Sequence, residues 1–329
     1  MLKPMTVTAD LAPALLGEIE NASSILIGTH LNPDGDALDS ALALSHYLDG
    51  LGVTNEVVCH HLPPRNLLFL PGVERIRQTP RRKDHDLGVM LDLEVFDRLG
   101  SAAPYFAACP RLIVIDHHVP HEEPGDLRII DTTAAATALI LTRLLIALHA
   151  KITPEIATCL LTGIVTDTGS FRFRNTTPEA LSLSAALLEK GGDINQVSEE
   201  IFQSKPLSSA RLLGHTLEHM CLACDDRLAW SLLRHTDFED TGARDEDTEG
   251  FVNELLSIDT VQIAALMREA KPGKIRVSLR SRKGYDVAEV AQLFGGGGHR
   301  NAAGCTFEGD PAEAERQLVE RLKACLESS

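Results

Sequence analysis

A chain of 329 residues is long enough for two domains of ordinary size, each with its own core. No apolar run approaches the roughly 20 residues that cross a bilayer, and a formal net charge of −16 speaks against a grip on long nucleic acid, which needs a basic surface and counterion release. Seven cysteines without a disulfide framework, and an N-terminus lacking the basic-then-apolar pattern of a signal peptide, point to a reducing, cytoplasmic setting.

Residues 8–21 have helical periodicity, with Leu11, Leu15, Leu16 and Ile19 on one face and Thr8 or Asp10 as cap. The apolar run SILIG (residues 24–28) reads as a strand that empties into HLNPDGDALDS (residues 30–40). That turn carries His30 and the carboxylates of Asp34, Asp36 and Asp39 where a strand ends and a helix begins, which is where α/β folds keep their chemistry. With only Gly35 between them, Asp34 and Asp36 can diverge toward two neighbouring cations, and His30 can close the first of them. A small-residue helix over 37–48 and a strand over 53–59 follow. Pro63-Pro64 and Pro71-Gly72 break the next stretch into loop and short helix, and the basic run over 75–83 reads as a solvated face.

LGVMLD (residues 87–92) and RLIVIDHH (residues 111–118) repeat the opening design. Each is a buried parallel strand, and their C-terminal ends present Asp92 and then Asp116, His117 and His118. An Asp at a strand end commonly caps the next helix, and paired histidines are commonly surface residues. Three such clusters at three successive strand ends point instead to one metal site on one sheet edge.

Residues 131–149 read as a long helix capped by Asp131 or Thr132, and 154–164 as a second that ends in TDTGSF (residues 166–171). Asp167 continues an apolar pattern, points inward and is the candidate for a fourth carboxylate ligand. Arg172 and Arg174 stand at alternate positions, either facing a phosphate or lying on an exposed strand edge. A helix over 178–190 stops at Gly191-Gly192, and the helical pattern over 193–219 breaks at Lys205-Pro206. The expected architecture is α/β. A larger N-terminal domain (1–190) carries a mostly parallel sheet flanked by helices, and a helical linker (191–210) lets two lobes hinge over a cleft. A smaller C-terminal α/β domain (211–329) carries a mixed sheet.

In that last domain, strands over 227–233, 261–268 and 274–282 and helices over 249–258 and 311–326 surround FGGGGHRNAAG (residues 294–304). The glycine run, including Gly296, Gly297 and Gly298, is expected to expose main-chain N–H groups as an anion-binding nest, with His299 and Arg300 on its lip. Arg280, alternating with Ser278 and Arg282, can reach the same anion. Cys221-Leu-Ala-Cys224 has no second pair at zinc-ribbon spacing and reads as two ordinary half-buried thiols.

HLNPDGDALDS, MLD, IDHH, TDTGSF and GGGGHRNAAG stand in the order found in the DHH phosphoesterase family, which the chain resembles over nearly its whole length. The last motif resembles that of the DHH-associated domain, and the size and two-domain layout look most like members acting on short RNA. The resemblance implies hydrolysis of short oligoribonucleotides to mononucleotides and of 3'-phosphoadenosine 5'-phosphate (pAp) to AMP, with two Mn²⁺ or other divalent ions as cofactors. It implies a first ion on His30, Asp34 and Asp92 and a second on Asp36, Asp92, His117 and Asp167, bridged by Asp92. Asp116 would orient an imidazole, His118 would contact the phosphate and assist proton transfer, and Arg280, the glycine nest and His299 would hold the substrate's terminal phosphate or base. The partners so implied are short RNA oligonucleotides or nucleotide bisphosphates, and a homodimer is left open. The other readings are a linear or cyclic dinucleotide phosphodiesterase, an exopolyphosphatase, and a regulatory nucleotide-binding protein without turnover. In one departure, Asp39 stands where the family usually has Gly. One helical turn from Asp36, it is either a solvated charge favoured near a helix N-terminus or an anion that crowds the metals and repels phosphate.

Overall fold

The computed structural model describes residues 9–93, 95–119 and 124–327, arranged as two units, Met1–Ser204 and Lys205–Ser329. The proposed cap Thr8 and the segment before it lie outside the described residues. Unit one runs α1 (Ala12–Asn21), β1 (Ser24–Gly28), α2 (Gly35–Gly50), β2 (Thr54–Val58), β3 (Leu87–Leu91), α3 (Ala103–Ala107), β4 (Arg111–Asp116), β5 (Leu127–Ile130), α4 (Thr137–Ala147), α5 (Pro154–Asp167), α6 (Pro178–Glu189) and α7 (Ile194–Ser198). Its five strands are all parallel, in the order β2-β1-β3-β4-β5. Ile25 and Ile27 of β1 face the larger core with α1, α2, α4 and α5, while Leu26 faces a smaller one with Phe106 of α3. A strand covered on both faces needs an uninterrupted apolar run, which is why β1 and β3 are buried throughout.

After β1 the chain moves outward to β2 and then returns to the other side of β1 as β3. The carboxyl ends of β1 and β3 therefore flank a topological switch point, where open α/β sheets leave a crevice for ligands. The turn motif at His30 leaves β1 there, and Asp92 leaves β3.

Several elements differ from expectation. The helix expected over 131–149 begins at Thr137, because the Asp131 carboxylate instead closes a local turn, accepting from Thr133 N (2.9 Å) and Oγ1 (2.6 Å), and pairs with Arg143. Neither Asp10 nor any other side chain caps α1, which follows a 3₁₀ turn over Ala9–Leu11. Strand β5 was not foreseen, since Arg128 interrupts its apolar pattern. Helix α5 is capped by Thr153 and runs on to Asp167, placing that residue in its last turn.

Unit two runs α8 (Leu207–Glu218), β6 (Cys221–Ala223), β7 (Leu228–Leu233), α9 (His235–Thr241), α10 (Phe251–Ser257), β8 (Ile263–Lys271), β9 (Lys274–Ser281), α11 (Val287–Gln292), β10 (Gly297–His299), β11 (Ala302–Glu308) and α12 (Pro311–Glu327). The strands form one mixed sheet, β10-β11-β9-β8-β7-β6, in which only β7 and β8 pair in parallel. Helices α11 and α12 cover one face and α8, α9 and α10 the other. Cys221 and Cys224 are free thiols, the former exposed rather than half-buried. Among the described residues no helix is long and apolar enough to cross a membrane.

The glycine run does not form the expected nest. Gly297 and Gly298 lie in β10, paired with Gly304 and Ala303 of β11, while the N–H groups of Gly295 and Gly296 donate to Gln292 and Ala291 at the end of α11. A Cβ on Gly298 would meet Ala303 Cα at 2.6 Å, so close strand approach accounts for that glycine.

Candidate metal centre

Three strand ends and one helix end converge. His30 Nε2 lies 3.7 Å from Asp34 Oδ1 and 3.2 Å from Asp92 Oδ2. The other oxygen of Asp92 lies 3.6 Å from His117 Nε2 and 3.6 Å from His118 Nδ1. His117 Nε2 is in turn 3.9 Å from Asp36 Oδ2 and 3.7 Å from Asp167 Oδ2. His30/Asp34/Asp92, Asp92/His117/His118 and Asp36/His117/Asp167 thus each place one donor atom per residue within 4.8 Å. Asp36, Asp92 and Asp116 are buried, and Asp34 is exposed.

The surroundings aim these donors. His30 Nδ1 bonds the Leu31 carbonyl (2.8 Å) and His117 Nδ1 the Ala134 carbonyl (3.3 Å), so in both rings Nδ1 carries the hydrogen and Nε2 faces the carboxylates. Asp116 Oδ1 accepts from the backbone N–H of His117 and His118 and lies 2.8 Å from His118 Nδ1, fixing that ring from behind. Helix α4 has no cap of its own; Asp36 supplies one, accepting from Thr137 N (2.6 Å) and Ala138 N (2.8 Å). Thr137 Oγ1 donates to Asp92 Oδ1 (2.9 Å), so the positive end of α4 serves two carboxylates. Asn175 donates to Asp167 Oδ2 (3.4 Å) and to the carbonyls of Asp167 and Ala135. Gly163 makes room for this packing, since a Cβ there would meet Ala138 Cβ at 2.6 Å and Asp36 Oδ1 at 2.9 Å. Asp92 itself has a left-handed φ of 60°, which costs a non-glycine residue about 1–3 kcal/mol and persists where the surroundings over-determine it.

Two of the clustered acids are shifted toward holding protons. Burial first, then the charges of Asp92 and Asp167, push Asp36 well above the usual carboxylate range; burial and the charges of Asp92 and Asp34 do the same to Asp167. For His30, burial acts downward but is outweighed by Asp34 and Asp92, which carry the imidazole up to about 10. His118 likewise rises to about 9 against its burial, through Asp116 and Asp92. A donor set of carboxylate oxygens and imidazole nitrogens, with imidazole nitrogens turned inward by outer hydrogen bonds, fits borderline-hard divalent cations and includes no thiolate.

Asp39 belongs to none of the three groups. It is fully buried in α2, both oxygens lack a hydrogen-bond partner, and burial followed by Asp36 and Asp34 raises its pKa, which removes the solvated cap charge as an explanation. An unsatisfied buried polar group costs about 1–3 kcal/mol, so Asp39→Ala is expected to stabilise the cation-free protein by about that amount. Urea unfolding in chelator measures this; a variant less stable than the parent means the carboxylate has a favourable partner.

Arg172 and Arg174 are exposed in a turn rather than on a strand, and Arg172 donates to the Gly169 carbonyl (2.7 Å). In unit two, Arg280 of β9 and His299 of β10 both register with Ala302 of β11, on one face of the sheet. Burial lowers the Arg280 pKa, and its Nη1 donates to the Leu279 carbonyl (3.0 Å). Arg300 lies 3.8 Å from Asp286, and Arg282 is spent on the carbonyls of Val261, Leu256 and Ile258. Thr137 and Asn175 were not foreseen, because nothing in the sequence links them to acids that only folding makes neighbours.

The chain is 36% identical over 302 residues to the bifunctional oligoribonuclease and PAP phosphatase NrnA of Thermus thermophilus, covering 91% of this chain and 89% of that one. The N-terminal domain of the DHH family matches residues 24–164, and the DHHA1 domain matches residues 229–328. This chain belongs to the DHH phosphoesterase family. Within the DHH match fall His30, Asp34, Asp36, Asp92, Asp116, His117 and His118, with Asp167 just beyond it; Arg280, the glycine run, His299 and Arg300 fall within the DHHA1 match. The Bacillus subtilis protein of the same name is 26% identical, covering 95% of this chain and 98% of that one. An exopolyphosphatase-related protein from Bacteroides fragilis shares the fold with a TM-score of 0.91 at 29% identity, covering 99% of this chain and all of that one. As a DHH family member, the protein is a hydrolase of phosphoesters.

Proposed function

We propose that this DHH family protein hydrolyses short oligoribonucleotides to mononucleotides and pAp to AMP, with two Mn²⁺ held by His30, Asp34 and Asp92 and by Asp36, Asp92, His117 and Asp167. The observation that carries this reading is Asp92, which turns one oxygen to His30 (3.2 Å) and the other to His117 (3.6 Å), the posture of a carboxylate shared by two ions. The names of the relatives from T. thermophilus and B. subtilis support the substrate class. Bound ions would activate a water for attack on phosphorus and clamp the charge that develops there. His118, held on Asp116, is the group placed to give a proton to the departing ribose oxygen. Arg280 and His299 bind the substrate's terminal phosphate.

The test is a Mn²⁺-dependent assay on pAp, a dinucleotide, a five-residue oligoribonucleotide, a cyclic dinucleotide and polyphosphate, repeated with Mg²⁺ and Zn²⁺. Turnover of pAp and the linear oligonucleotides is expected; cleavage of polyphosphate or the cyclic compound alone would replace this reading. Arg280→Ala is expected to raise KM for pAp about 10- to 100-fold, the worth of one charge-assisted contact, with kcat little changed. A fall in kcat alone would place Arg280 elsewhere in the mechanism.

A further inference from the structure

Thr137, the first residue of α4, reaches two of the clustered acids through two different groups. Its N–H donates to Asp36 Oδ2 (2.6 Å), and its hydroxyl oxygen lies 2.9 Å from Asp92 Oδ1. An ionised carboxylate only accepts, so the hydroxyl is the donor in the second bond. Asp36 stands in the first turn of α2 and Asp92 follows β3, so one residue joins two acids that the chain delivers from separate elements. The joint is packed in place. Ala138 N–H also donates to Asp36 (2.8 Å), and Gly163 lets α5 close on α4, since a Cβ there would meet Ala138 Cβ at 2.6 Å.

All members of this joint are shut away from solvent. Thr137 is fully buried, and Asp36 and Asp92 are 2% and 1% exposed. Water therefore cannot stand in for the hydroxyl, and a buried acceptor stripped of its donor bears the full desolvation penalty. The hydroxyl also limits what Asp92 Oδ1 has to offer. Each carboxylate oxygen has about two lone-pair sites. Thr137 takes one and leaves one for a cation, with His117 Nε2 3.6 Å from the same oxygen and His30 Nε2 3.2 Å from the other.

We propose that Thr137 is a positioning residue for the ion assigned to Asp36, Asp92, His117 and Asp167: its hydroxyl holds Asp92 Oδ1, and its N–H holds Asp36, where one cation takes both. This rests on the two-ion reading above and adds to it a residue that touches neither ion nor substrate.

The experiment titrates chelated wild type, Thr137→Val, Thr137→Ala and Thr137→Ser with Mn²⁺ in a calorimeter and counts the ions retained after gel filtration. Valine keeps the branched shape and removes the donor, whereas serine keeps the donor and removes the methyl group. Thr137→Val is expected to bind the second ion about 10- to 100-fold more weakly, the usual cost of losing an outer hydrogen bond to a metal ligand, with a smaller change at the first. Thr137→Ala is expected to match it, so the comparison stands if either variant folds, and Thr137→Ser to recover most of the loss. Turnover of pAp by Thr137→Val is expected to climb back toward wild type as Mn²⁺ is raised, which a defect in folding would not do. Wild-type affinity for both ions in the variants without the hydroxyl, or an equal loss in Thr137→Ser, would overturn the proposal while the wild type still takes up two ions. If the wild type itself takes up no second ion, the two-ion reading falls and the role of Thr137 falls with it.

Discussion

Asp92→Asn, with its cation content measured, is expected to lose at least about 10³-fold in kcat/KM for pAp and to bind fewer than two ions per chain. Asn tolerates the left-handed backbone that Asp92 adopts, and its side-chain carbonyl can still accept from Thr137 Oγ1, so the fold is expected to survive. What disappears is the charge that one buried residue presents to His30 on one side and His117 on the other. Elemental analysis, a melting curve and turnover on the same sample separate lost chemistry from lost structure. A fully loaded, folded Asp92→Asn protein with wild-type turnover would remove Asp92 from the bridging position.

Adding Mn²⁺ to chelated protein is expected to raise the melting temperature by about 5–10 °C at a hundredfold excess over Kd, and by more at pH 8 than at pH 6. The direction follows from where protons sit. Without ions, His30 holds one up to about pH 10 because Asp34 and Asp92 outweigh its burial. Asp36 and Asp167 hold theirs above the usual carboxylate range, through burial and then their acidic neighbours. In each case the folded state binds the proton more tightly than the unfolded chain, so these groups contribute stability at low pH that is lost as pH rises through the raised values. A cation takes the place of the protons, binds more tightly as pH rises, and restores what deprotonation removes. Equal or smaller shifts at pH 8 would show that ion binding displaces no protons here.

The strand ends were legible because a doubly covered parallel strand is written as an unbroken apolar run, and the run stops where the chemistry starts: Gly28, Leu91 and Asp116 mark it three times. The start of α4 was not legible. Asp131 has cap chemistry and spends it on Thr133, whereas the true cap, Asp36, comes from a hundred residues upstream. The glycine run differs for a related reason: composition counts N–H groups but does not say which are consumed, and here the end of α11 takes those of Gly295 and Gly296 while β10 pairs along one edge with β11.

Both oxygens of Asp36 already receive an N–H from α4, whereas Asp34 is half open to solvent and caps only its own helix. Inherited variation is therefore read differently at the two acids. On the two-ion reading proposed above, a change at Asp34 would alter how well an ion is kept, while a change at Asp36 would also strip a buried helix of its anchor. Lineages can tune the first position gradually, but a chain that abandoned the second would have to find a new way to begin α4.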